Sequence, residues 1–170
     1  MAALAAVIAE MTRQISVLEQ QLAADFEQHP DSEVVRSLPG PGTIPGARVP
    51  GESGDVPDRY ATAKSRRNYA GTSPVTRASG TRRVVLARHV HNKRLADAIC
   101  LRAFSAISVS PGARAFYDRR RAAGDNHNQA LRALGSHLVG FLHKCPASHS
   151  VYDEHTARTN RPNPELKAAA

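Results

Sequence analysis

The chain has 170 residues, a formal charge of +8, a pI of about 10.2 and only 5% aromatic residues, with no tryptophan. This length allows one domain with a real core plus an extension, and leaves Leu, Ile, Val and Ala to build that core. The charge points to polyanionic partners, nucleic acid first, with a merely basic soluble surface as the plainer alternative. Cys100 and Cys145 stand far apart, in no CxxC or Cys/His spacing, which argues against a disulfide framework or a zinc site. Cys100 falls among apolar residues and reads as a small core residue.

The N-terminal stretch MAALAAVIAEMTRQ has no basic leader, and Glu10 and Arg13 interrupt its apolar run. It reads as neither signal peptide nor membrane span, and a cytoplasmic location follows by default. Residues 3–28 read as one helix within a 1–30 unit. Leu4, Ile8, Met11, Ile15, Leu18 and Leu22 repeat at alternating four- and three-residue steps, the seam of a coiled coil. Packing on its own domain is the alternative. The narrow stripe favours a partner helix, through self-association over residues 4–22 or an antiparallel hairpin within the chain.

Residues 33–55 are rich in Pro and Gly. Leu38-Pro39-Gly40-Pro41-Gly42 resembles the turn of a helix-hairpin-helix element, in which backbone N–H groups meet a DNA phosphate. The second helix would cover 43–53, where Pro45 is tolerable near the first turn. Pro50 at an interior position costs roughly 3 kcal/mol, so this element is compromised or is a loop.

Between Arg59 and Arg94 stand ten Lys or Arg residues and no Asp or Glu. Tyr60, Tyr69, Val75 and Val84-Val85-Leu86 punctuate the run and anchor it, so it reads as an ordered phosphate-facing surface rather than a solvated tail. The residues expected to meet phosphate are Arg66, Arg67, Arg77, Arg82, Arg83, Arg88, Lys93 and Arg94. Residues 58–64 suggest a short helix, 71–80 a loop and 82–88 a short extended segment.

Three helices follow. The first, 92–109, has Leu95, Ile99, Ala103 and Ala106 on one face, with Arg102 intruding at a position expected to be apolar. Ser110-Pro111 caps a second helix that runs to about 122, where Gly124 stops it. The third, 127–145, presents Leu131, Leu134, Leu138, Phe141 and Leu142, and Pro146 shortens it. Beyond it, 146–170 reads as a disordered tail. The expected fold is mainly α: a coiled-coil helix, a helix-hairpin-helix-like segment, a basic loop and a three-helix bundle.

Eight histidines raise the question of a metal, but His89-Val90-His91 has no acid nearby and His137 and His143 are poorly spaced on one helix. Phosphate contact or simple exposure suits them better. Ser79 is the chemical candidate. Gly80 gives it a flexible backbone that a phosphodiester can approach, and Arg77, Arg82 and Arg83 lie within a few residues to steady developing charge. An ordinary Ser-Gly turn is the alternative. A serine nucleophile needs a base or a metal, and no carboxylate lies between Asp58 and Asp97.

One ordered series ties these segments together: Leu38-Pro-Gly-Pro-Gly42, Glu52-Ser-Gly-Asp55, Arg59-Tyr60, and Asn68-Tyr69-Ala70-Gly71-Thr-Ser-Pro74. It continues with Ser79-Gly80, Asn92-Lys93-Arg94-Leu95, and Arg114-Ala-Phe116-Tyr117-Asp118 followed by Gly124. Over roughly 33–145 this resembles the C-terminal transposase domain of the IS-one-ten family of bacterial insertion-sequence transposases. The resemblance implies an oligomeric DNA recombinase directed by a structured guide RNA. It also implies an N-terminal RuvC-like domain with four magnesium-binding acids, and a C-terminal serine nucleophile that becomes covalently joined to DNA. By match to the Ser-Gly step that serine is Ser79, with Ser73 second. Because the chain starts at the coiled coil, the expectation is a truncated copy, inactive alone, whose magnesium would need the other domain. The competing expectation is a non-catalytic dimeric nucleic-acid-binding module, or a decayed remnant whose core Pro50 and Arg102 disturb.

Overall fold

The computed structural model describes residues 2–40, 42–54, 56 and 59–159. Pro41, Asp55, Asp58 and 160–170, which carry parts of the motifs and the tail read above, lie outside the described residues. The architecture is mainly α, with eight helices and one two-stranded sheet among the described residues. In chain order these are α1 (Ala2–Glu27), α2 (Ser32–Ser37), α3 (Thr43–Ser53), α4 (Ala63–Tyr69), β1 (Val75–Ser79), β2 (Arg82–Leu86), α5 (Lys93–Val109), α6 (Pro111–Ala122), α7 (His127–Ala147) and α8 (Glu154–Thr159).

The core forms around α5 and α7. One cluster joins Phe26 at the end of α1, Val35 of α2, Val49 of α3, and Leu95 and Ile99 of α5 to Val139 and Leu142 of α7. The second joins Ala103 and Ala106 of α5 and Ala113 of α6 to Leu131, Leu134 and Leu138 of α7. The seam between α5 and α7 is close because Gly135 faces Ile99; a Cβ there would lie 2.8 Å from Ile99 Cγ2. Ser110 caps α6 as its sequence suggests, accepting from Ala113 N at 3.1 Å.

Several expectations change. Residues 43–53 do form a helix despite Pro50, which forfeits one backbone bond while Val49 beside it is fully buried. Burial of the helix offsets the local loss. Within the expected 71–80 loop, Val75–Ser79 instead forms the first leg of an antiparallel hairpin, paired from Val75↔Leu86 to Ser79↔Arg82. The helix expected at 58–64 begins at Ala63, where Thr62 and Ser65 form a reciprocal cap. Cys100 is exposed, and it is Cys145 that is buried.

Arg102 does not disturb the core. Its guanidinium is almost fully buried and donates to the carbonyls of Val35 (2.7 Å), Leu38 (3.0 Å) and Pro39 (3.1 Å). It thereby satisfies the orphan carbonyls at the end of α2 and fixes the turn toward α3. Gly40 in that turn has φ +104°, and a Cβ on it would lie 2.5 Å from Arg102 Cγ, so glycine and arginine fit as a pair. The turn that resembled a phosphate-binding hairpin is therefore held to the core from within.

The region beyond 145 also departs from a disordered tail as far as residue 159. α7 continues through Pro146 to Ala147, and Tyr152 packs edge-on against Phe141 while its N–H donates to Ser37 Oγ at 2.8 Å. Glu154 then accepts from Gly112 N–H and from the Ser110 hydroxyl at the start of α6. A carboxylate at a helix N-terminus is favourable, which is why this segment stays against the bundle.

Candidate functional site

The β1–β2 hairpin projects from this body. All of its residues but Val75 are exposed, and it is joined to the rest mainly through its two feet. The turn is two residues long, and Gly80 takes φ +55°, the left-handed backbone that short hairpin turns favour glycine to supply. The feet are fixed. Asn92 N–H donates to Tyr69 O at 3.0 Å, Asn92 Nδ2 to the Tyr69 hydroxyl at 3.0 Å, and Arg88 Nε to Ser73 O at 3.3 Å. Asn92 also caps α5 by accepting from Leu95 N at 3.1 Å. The Asn-Tyr and Asn-Lys-Arg-Leu motifs thus tie the two feet together at the start of α5.

Strand alternation sorts the hairpin into two faces. Register puts Val75, Arg77 and Ser79 on one face, with Leu86, Val84 and Arg82 as their cross-strand partners. Thr76 and Ala78, opposite Val85 and Arg83, make the other. Ser79 therefore shares its face with Arg82 directly across and Arg77 two positions back. Arg83, expected beside the serine, is on the reverse face. The serine stands at the hairpin tip, about 13 Å along the strand from its foot.

Ser73 lies in a different setting. It is half-buried at the foot, its N–H donates to Arg67 O at 3.4 Å, and its carbonyl accepts from Arg88. A residue tied in this way positions the hairpin.

The other arginines divide by role. Arg66 Nη1 donates to Leu142 O and Arg67 Nε to Ser136 O, each at 2.9 Å, so both dock α4 on α7. Lys93 is exposed at the start of α5, and Arg94 pairs with Glu52 at 2.9 Å. The hairpin keeps Arg77, Arg82 and Arg83 exposed, which makes it the part of the basic run best placed for a polyanion. Sequence reading missed the two-faced hairpin, although two extended runs separated by Gly-Thr were the available signal.

The histidines also take defined places. His137 stacks on Phe141 and meets Phe116 edge-on, so it belongs to the aromatic packing beside α6. Burial, then Arg66 and Arg67, push the His143 ring below the usual histidine pKa. Among the described residues, no group of three or more His, Cys, Asp and Glu could hold a metal ion. The surroundings of Ser79, with no acid between Asp58 and Asp97, do not fit a magnesium ion.

These features define a mainly helical domain that presents an exposed, serine-tipped basic hairpin on a rigid foot. Residues 32–118 match the Transposase IS116/IS110/IS902 family, and the chain belongs to that family. It is 45% identical over 145 residues to a mini-circle IS117 protein of Streptomyces coelicolor named as a putative transposase, covering 85% of this chain and 34% of the relative. A 43.6 kDa protein of insertion element IS110 from the same organism is 35% identical, with 82% and 34% covered. A 42 kDa protein of insertion element IS900 from Mycobacterium paratuberculosis is 31% identical, with 91% and 40% covered. The chain thus spans about a third of the length of the curated relatives it matches. Among the described residues no helix is long and apolar enough to cross a membrane.

Proposed function

We propose that this chain is the DNA-binding, serine-bearing part of an insertion-sequence transposase. The observation that carries the reading is the placement of Ser79 at the exposed tip, on one face with Arg77 and Arg82. The two guanidinium groups would hold the phosphoryl oxygens while the serine oxygen attacks phosphorus. A Ser–O–P bond forms, the bond from phosphorus to the departing sugar oxygen breaks, and the serine proton passes in net to that oxygen. The stored phosphodiester link allows later strand exchange without an outside energy source. Catalytic carboxylates and their magnesium come from outside the hairpin region, so the residues described here are inactive on their own. A structured guide RNA and self-association through residues 4–22 complete the proposed assembly, which works in the cytoplasm.

The second reading, a non-catalytic dimeric nucleic-acid-binding module, is favoured by the acid-free surroundings of Ser79 and the bare seam of α1. One experiment separates the two. The protein is mixed with target DNA, guide RNA, magnesium and the acidic domain of a relative, and covalent adducts are followed by denaturing electrophoresis. The transposase reading expects an adduct that Ser79→Ala abolishes while DNA affinity is unchanged. An adduct formed equally well by Ser79→Ala removes Ser79 from the chemistry, and binding without any adduct supports the module.

A further inference from the structure

The two feet of the hairpin flank a cleft. Residues 70–72 lead into the hairpin and residues 87–91 lead out of it. Between them, α5 and the first turns of α7 enclose about 290 Å³. Its buried lining is apolar, with Ala70, Ile99 and Leu131, and with Gly71 and Gly135 closely packed under His91 and Ile99 respectively. Its more exposed rim carries Arg88, Arg132, Asn128 and Asp97. The half-buried His91 ring packs on Gly71 and forms one wall of the space.

This composition differs from a phosphate surface. A site meant for phosphate alone would have no use for an apolar floor or for Asp97. A flat ring needs the floor, a ring edge with N–H donors suits Asp97, and an amide such as Asn128 both donates and accepts. Arg88 and Arg132 supply the cations for the attached phosphate. The volume lies near the lower end of small-ligand pockets, about 300–1,000 Å³, which suits one nucleotide and is too small for a base pair. The cleft also opens between the feet of the arginine-bearing hairpin, so a strand bound along that hairpin runs past its mouth.

We propose that this cleft receives one unpaired nucleotide of the strand bound along the hairpin. The base lies against the apolar lining beside the His91 ring, Asp97 and Asn128 meet its edge, and Arg88 and Arg132 hold its phosphate. The inference rests on the proposed nucleic-acid role and adds that the substrate is not uniformly paired at this point. A free mononucleotide has the same chemistry but lacks the flanking strand that the hairpin would hold.

Cys100 provides a probe, because it lines the cleft and is exposed, whereas Cys145 is buried and serves as an internal reference. The test measures alkylation of each thiol by iodoacetamide, in the whole chain, with four additions. These are a paired DNA duplex, the same duplex with a one-nucleotide bulge, the bulge with its base removed, and the bulge in RNA. At tenfold excess over its Kd, the bulged duplex should slow Cys100 alkylation about tenfold. The paired and abasic forms should leave it nearly unchanged, and comparing DNA with RNA identifies the strand. Asn128→Ala and Asp97→Asn, both at the cleft rim, should remove the protection while keeping affinity for paired duplex. Equal protection by paired, abasic and bulged duplexes overturns the inference, as does protection by free nucleoside monophosphates without protection by the bulge. Loss of all binding in low salt would sink the nucleic-acid reading itself, a result distinct from binding that ignores the bulge.

Discussion

Arg102 shows how a charge can belong in a core. It lies on the apolar face of α5, and burial pulls its pKa down to about 10, which leaves it charged at neutral pH. Three carbonyls, of Val35 in α2 and of Leu38 and Pro39 after it, compensate for much of that burial through Nε and Nη2, while the buried Nη1 has no hydrogen-bond partner. Arg102→Ala would leave those acceptors facing a void and should cost about 3 kcal/mol, read from urea denaturation. Arg102→Leu should not recover the loss, since volume without donors leaves the carbonyls unpaired; full recovery would show that packing alone matters there. His143 makes the second residue-scale prediction. Its folded pKa is depressed by burial, with Arg66 and Arg67 adding to the effect. The unfolded chain therefore takes up a proton near pH 6.5 before the folded chain does. This contribution to stability is intact above that pH and declines as pH falls through 6.5 toward the lower folded value. Melts at pH 7.5 and 5.5 should show the decline, and His143→Gln should reduce it.

At the scale of elements, α1 and the hairpin are both exposed for want of a neighbour, but in opposite ways. α1 buries only Phe26, and Leu4, Ile8, Met11, Ile15 and Leu18 are each more than half exposed. Such a narrow apolar seam is what a second α1 would cover. Sedimentation should show self-association, and a double variant Ile8→Lys, Ile15→Lys should be monomeric with its helical bundle intact. A monomeric parent protein would remove the coiled-coil reading. The hairpin, by contrast, exposes arginines at its tip and Val84, Val85 and Leu86 toward its foot. Its stability derives from the ties at Tyr69, Asn92 and Arg88, because a two-stranded hairpin alone is marginal in water.

At the scale of the whole molecule, ten cations without an acid in residues 59–94 do not act as one surface. Arg66 and Arg67 are engaged by α7 and Arg94 by Glu52, while Arg77, Arg82 and Arg83 stay exposed on the hairpin. The proposed DNA binding should weaken steeply with salt. Replacing these last three with Ala should flatten the log K against log salt slope by about 3, one for each phosphate no longer neutralised. An unchanged slope would place the binding surface elsewhere.

Local signals were legible in the chain itself. Ser110-Pro111 marked the start of α6, and helical periodicity marked α1, α5 and α7. The ordered motifs indicated the family, and Ser79-Gly80 a turn. Each depends on neighbours within a few residues, where propensity and capping act. Other features required partners far along the chain. Pro50 is tolerated because α3 is buried, Arg102 donates to carbonyls more than sixty residues away, and Glu154 meets α6 from beyond the expected end of order. The arginine run in particular read as one charged stretch. Folding separated it into cations that hold the bundle together and cations left at the tip of a hairpin, because burial and hydrogen-bond partners are properties of the packed chain.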